Sequence, residues 1–139
     1  MRRQQHPAKP KRKLPADLAR YRDSYVKLFG ELPPLPAARF EVSSEVDAEF
    51  LRRLESLRGH AFHSKVFDAK TTQLLLFGML LMEHNPAAQV HALAARRSGA
   101  TWRELHKVIE LAAATKSLGP SNQGTAMLKA LREKEKSGA

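Results

Sequence analysis

The sequence predicts an all-α protein of about six helices. Three observations point that way. Aromatic residues are few, at 6%, and alanine and leucine outnumber the β-branched residues, a balance that favours helix over sheet. Apolar positions recur at three- and four-residue spacing through most of the chain. Helix starts and stops carry suitable residue types, among them Asp68, Asn85-Pro86 and Thr101 with Glu104 as starts, and Gly30 and Gly99 as stops.

Length and composition narrow the function. A chain of 139 residues has the size of one domain, expected over 14–139 behind a basic, disordered tail over 1–13. Six of the ten net positive charges come from Arg2, Arg3, Lys9, Lys11, Arg12 and Lys13, with no acid among them. With Pro7 and Pro10, such a tail attracts polyanions without sequence preference, so a dedicated nucleic-acid role is not expected. The absence of cysteine removes disulfides, thiolate nucleophiles and Cys-ligated metals together. The longest apolar run, Leu74 to Met82, is nine residues, whereas a membrane-spanning helix needs roughly 20. No membrane partner is expected. The basic N-terminus lacks the apolar stretch of a secretory signal, and a cytoplasmic location follows as the expectation.

Residues 14–30 place Leu14, Leu18, Tyr21, Tyr25, Leu28 and Phe29 on one stripe, with Pro15 in the first turn and Gly30 as the stop. Leu32-Pro33-Pro34-Leu35-Pro36 then reads as an extended strap. A second helix is expected over about 45–58, opened by Ser44 and Asp47, carrying Val46, Phe50, Leu54 and Leu57 inward and ending at Gly59. His60, Phe62 and His63 fall in a connector. Asp68 caps a third helix over about 69–83, whose stretch Leu74 to Met82 is apolar on every face. In a chain this small, such a helix implies cover from a second subunit, with Gly78 admitting another backbone. A short helix follows over about 86–98, from Asn85-Pro86 to Ser98-Gly99. The capping box of Thr101 and Glu104 opens a fifth, which Gly119-Pro120 is expected to close. A last helix over about 121–136 carries Met127, Leu128 and Leu131.

The chain has no glycine-rich phosphate loop, no His-Glu-x-x-His and no nucleophile elbow, so histidines and their neighbours are the candidates for chemistry. His84 and His91 would stand about 10.5 Å apart along a continuous helix, too far to share one ion. No metal and no cofactor are expected. With Asn85-Pro86 restarting the helix, His84 is placed just outside a helix N-terminus, where unpaired N–H groups favour an anion. His91 sits in the small-residue run Ala87-Ala88-Gln89-Val90-His91-Ala92, where a lone histidine is more often a hydrogen-bonded packing residue than a catalyst. Glu83 could orient an imidazole or raise its pKa, although a solvated helix end is the plainer reading. His60, His63 and His106 are weaker candidates.

The stretch Phe67-Asp68-Ala69-Lys70-Thr71-Thr72-Gln73-Leu74, the apolar helix after it, His91-Ala92-Leu93-Ala94-Ala95 and Ser98-Gly99-Ala100-Thr101-Trp102-Arg103-Glu104 together resemble the carboxymuconolactone decarboxylase family over roughly 45–130. The resemblance implies an alkylhydroperoxidase D-like helical bundle that assembles as a homo-oligomer, a trimer or hexamer. In the family's peroxide-reducing branch, a Cys-x-x-Cys pair is followed by a histidine four residues on. Those positions fall on His84, Ala87 and His91, so the histidine is kept and the redox pair is gone. The decarboxylase branch, which lacks the cysteines and keeps the histidine, is the better fit. Gln73 stands where the family commonly carries a glutamate, and an amide cannot carry a proton.

The decarboxylase branch implies a small carboxylate or lactone ligand. Loss of CO2 from an unsaturated lactone leaves an enolate-like charge to be stabilised and then protonated. His91 is the implied proton donor, with the helix start at Pro86, His84 and Arg96 or Arg97 as candidates to hold the anion; Gln73 can orient a substrate or a histidine, and the carboxylate's acid–base role is lost unless Glu83 replaces it. Three readings remain open at this level. The chain is a decarboxylase-like enzyme of aromatic-compound catabolism, or an inactive relative serving as a structural or interaction subunit, or alkylhydroperoxidase D-like by membership alone. As for the tail, deletion of residues 1–13 is expected to leave melting temperature and oligomeric mass unchanged, because the segment has almost no apolar surface to bury. A substantial drop in melting temperature would show that it packs.

Overall fold

The computed structural model describes residues 13–138, so the tail expected over 1–13 lies outside them save for exposed Lys13. Six helices make up the described chain: α1 (Ala16–Phe29), α2 (Pro34–Val46), α3 (Ala48–Phe62), α4 (Ala69–Met82), α5 (Ala88–Arg97) and α6 (Trp102–Ser137). Among the described residues there is no strand, and no helix is long and apolar enough to cross a membrane. The described residues divide into two compact units, with the boundary between Gly59 and His60.

In the first unit α1 ends as the sequence predicts. Gly30 turns left-handed at φ 88° and returns its N–H to the Val26 carbonyl at 2.8 Å. The strap expected over 32–36 is instead the start of a helix. Pro33 is extended, and Pro34 and Pro36 fall in the first turn of α2. The first N–H groups of a helix have no acceptor within it, so prolines there forfeit nothing and their fixed φ suits the helix. Ser44 lies inside α2 and bonds back to the Glu41 carbonyl at 3.2 Å, so it opens nothing. Asp47 closes α2, and its Oδ1 accepts from the Phe50 N–H at 2.9 Å, capping α3. The inward face of α3 is also rotated from the expected one. Val46, Phe50 and Leu57 are exposed, whereas Leu51 and Glu55, one turn apart, are fully buried.

Burying Glu55 requires compensation, and three side chains provide it. The Tyr25 hydroxyl donates to Glu55 at 2.9 and 3.0 Å, and Arg39 pairs with the same carboxylate at 2.7 Å and also donates to the Tyr25 hydroxyl. Arg58 lies 3.6 Å over the Tyr25 ring, with its Nη1 3.9 Å from Glu55 and 3.2 Å from the Ser24 hydroxyl. Burial is the largest influence on Tyr25, pushing its hydroxyl up to about 12, and it lowers Arg58. Phe40 meets the Tyr25 ring edge-on at 5.8 Å, which seats the polar cluster against apolar cover.

The second unit is built on α4, α5 and the first half of α6. Asp68 caps α4 as expected, its side chain accepting from the Thr71 N–H at 2.7 Å. Phe77, Ala88, Ala95, Ala100 and Leu105 form the core, with Leu74, Leu80, Leu81, Ala92 and Val108 packed around them. A Cβ at Gly78 would come within 3.0 Å of a Val108 methyl, so this glycine makes room for α6 of its own chain. The capping box at Thr101 forms in full. Glu104, its far member, is also 2.9 Å from Lys70 on α4. The Thr101 N–H first, then Lys70, hold the Glu104 carboxyl down to about 2.

Past that point the helix differs from expectation. Gly119-Pro120 does not close it, and α6 runs on to Ser137 with Pro120 inside. Proline removes one donor, so the Lys116 carbonyl loses its helical partner, but this stretch is exposed and water can take that place.

The Tyr25 cluster has a pH signature. An unfolded tyrosine titrates near 10, and the folded value is raised to about 12. Between those values the unfolded chain releases a proton that the folded chain retains. The contribution to stability is therefore full below about pH 10 and is lost as pH rises through about 12. Denaturant midpoints measured from pH 9 upward should fall more steeply for the wild type than for Tyr25→Phe. Parallel curves would remove Tyr25 as the cause.

Candidate active site

Two short sequence rules bring one histidine and one amide together. On α4, Gln73 and Phe77 are one turn apart and both buried, so they share the inward face. On α5, Ala88, His91 and Ala95 recur at three and four residues and are likewise buried. The alanines let the α5 backbone approach α4 closely, and His91 is the one large side chain of that stripe. The result is a hydrogen bond of 2.7 Å between His91 Nδ1 and Gln73 Oε1. Gln73 is 2% exposed and His91 8%, so neither can exchange this partner freely for water. In this arrangement Nδ1–H donates to the amide oxygen, and Nε2 is the position that accepts or releases a proton.

Phe62, at the end of α3, meets the His91 ring edge-on, with centroids 6.0 Å apart and planes at 81°. It restricts the imidazole from the side and supplies apolar surroundings. Sequence reading left Phe62 in a connector, because α3 continues past Gly59 and no periodic signal marked the extension.

The other two site candidates lie elsewhere. Glu83 is the C-cap of α4 and His84 follows it at φ 53°; both are exposed. The His84 N–H returns to the Leu81 carbonyl at 3.0 Å and the Asn85 N–H to Leu80 at 2.9 Å, the paired bonds of a helix-ending left-handed turn. Glycine is usual in that position, and histidine there carries backbone strain. His84 therefore terminates α4 rather than standing at the start of α5. The first turn of α5 is served by Asn85, whose side chain accepts from the Ala87 N–H at 2.9 Å. Neither the Glu83 nor the His84 side chain forms a hydrogen bond or ion pair among the described residues.

Arg96, a candidate anion holder, donates to the Ala100 carbonyl and lies 4.6 Å over the Trp102 ring, clasping the turn between α5 and α6. Arg97 is exposed. Among the described residues no three His, Cys, Asp or Glu side chains group as metal ligands would.

Among the described residues the helical scaffold buries the His91 imidazole against the Gln73 amide, and the sequence holds no thiol. The chain belongs to the carboxymuconolactone decarboxylase family, whose model matches residues 48–132, a span holding Gln73, Glu83, His84 and His91. No curated protein and no solved structure matches the chain significantly.

The pair makes a direct prediction. Gln73→Glu would set a carboxylate at the hydrogen-bond distance from Nδ1 and favour the imidazolium. An NMR titration should find His91 protonated at higher pH in the variant than in the wild type. Superimposable titrations would mean that the two side chains are not partners in solution.

Proposed function

We propose that this protein is a cysteine-free carboxymuconolactone decarboxylase-type enzyme. It acts in the cytoplasm, as a homo-oligomer of the trimer or hexamer type, on a small unsaturated lactone or cyclic acid from aromatic-compound catabolism. The observation that carries the reading is the buried 2.7 Å bond between His91 and Gln73. It fixes the ring orientation and the tautomer, which a general acid needs before it can deliver a proton to one carbon.

The reaction would begin with cleavage of the bond between the substrate carboxylate and its carbon. CO2 leaves, and the electron pair moves through the double bond toward the lactone carbonyl. Protonated His91 then gives its Nε2 proton to the resulting carbanion while Nδ1–H stays on Gln73. Taken together, one proton is consumed and one CO2 released. Gln73 cannot take part in proton transfer, so its role is positioning. His84 and Glu83, exposed at the adjoining turn, could act only on a ligand that reaches that surface.

A second reading is favoured by Gln73 itself. With the usual glutamate replaced by a neutral amide, the chain could be an inactive relative serving as a structural or interaction subunit. Peroxide reduction of the family's dithiol type lacks its chemistry here, since the chain has no cysteine.

Turnover separates the two readings. Carboxylated unsaturated lactones and muconate-type acids would be screened by thermal shift, and CO2 release measured for those that bind. His91→Ala is expected to lower turnover by roughly 10²–10⁴-fold with fold and oligomer unchanged. Equal turnover per folded oligomer would remove His91 from catalysis. A loss of stability on the order of 1–3 kcal/mol with activity kept would make it a packing residue. Binding by none of the acids would favour the structural subunit.

A further inference from the structure

The C-terminal half of α6 has no cover in its own chain. Every residue from Ala113 to Gly138 is exposed except Gly124, which is half-buried. At about 1.5 Å per residue this arm extends on the order of 35–40 Å beyond the part packed on α4. Met127, Leu128 and Leu131 fall on one stripe of it, each more than half exposed. The arm is also a poor helix in isolation. Gly119, Pro120 and Gly124 lie in its interior, costing together roughly 5 kcal/mol relative to alanine. A helix with those breakers and no packed face does not hold together in water.

The same unit carries an apolar groove. About 280 Å³ of space lies between α4 and α6, lined almost wholly by apolar side chains including Leu74, Leu75, Met79 and Met82. The arm cannot fill the groove beside its own root. Leu128 is thirteen residues beyond Thr115 at the groove's edge, about 20 Å along a continuous helix. A second copy's arm has no such restriction.

We infer that the arm of α6, through Met127, Leu128 and Leu131, docks in the α4–α6 groove of a second copy of this chain. The inference rests on the homo-oligomer reading above and specifies its contact. Leu75, Met79, Leu111 and Leu118 add to the three arm residues, all more than two-fifths exposed. At about 10² Å² each, their burial in a reciprocal pair would remove about 700 Å² per partner, against the ~800 Å² of a standard interface. An apolar helix stripe laid in an apolar groove is a recurrent mode of recognition. Because each copy offers both arm and groove, the contact closes reciprocally in a pair or passes around a ring.

The lack of native cysteine makes the test clean. Met79→Cys and Leu128→Cys are exposed positions that leave the core intact, and the two variants are purified separately, mixed and treated with a short bis-maleimide. The expected product is a covalent pair joining position 79 of one chain to position 128 of another, identified by peptide mass. The Met79→Cys/Leu128→Cys double variant should likewise link between chains. An oligomeric mass by light scattering with no 79–128 link would overturn this docking and leave the oligomer reading standing. A monomeric mass at micromolar concentration would overturn both. Links only within single chains of the double variant would overturn it in favour of an arm folded back at Gly119-Pro120.

Discussion

A neutral amide held against an imidazole inside a helix pair is the constraint on which the candidate chemistry depends. His91 and Gln73 are both buried, so each would be left with an unpaired polar group if the other moved, at a cost of about 1–3 kcal/mol. That penalty ties the register of α5 to α4. The alanines at 88 and 95 let the helices come close enough for the bond, and the left-handed turn at His84 reverses the chain quickly enough to bring α5 back. The polar contact and the apolar core around Phe77 therefore select the same packing.

The first unit is held by different physics. Glu55 is fully buried, and its charge is offset by Arg39 and Arg58 and by the Tyr25 hydroxyl. A buried ion pair contributes little net stability, because desolvation cancels most of the attraction. Removing one member is another matter, since the remaining charges then stay buried without compensation. α1, α2 and α3 each contribute a member, so the cluster ties the three helices to one another through Glu55.

Unpaired apolar surface is the other feature that organises this protein. In a monomer of this size, isolated exposed leucines need no explanation, but a long arm of uncovered helix does. Its interior glycine and proline would be expected to divide it into two helices. Continuity past Pro120 is an energetic debt that nothing in the same unit settles.

Much of this was legible in the chain itself. Asp68, the Thr101–Glu104 box, Gly30 and Gly99 are local signals whose hydrogen bonds reach only a few residues, and they mark their helices correctly. The all-α class and the place of His91 on a small-residue helix follow in the same way, and the family was legible as a resemblance carried by residues around Gln73 and His91. Tertiary structure decided the rest. Three prolines that read as a strap begin α2, because a first turn tolerates missing donors. The face of α3 turned inward around Glu55, a charged residue no hydrophobic pattern would place in a core. His84 proved to serve a helix end instead of a helix start. For α3 the deciding partners, Tyr25 and Arg39, lie on other helices, and a pattern read along one helix cannot show what will face it.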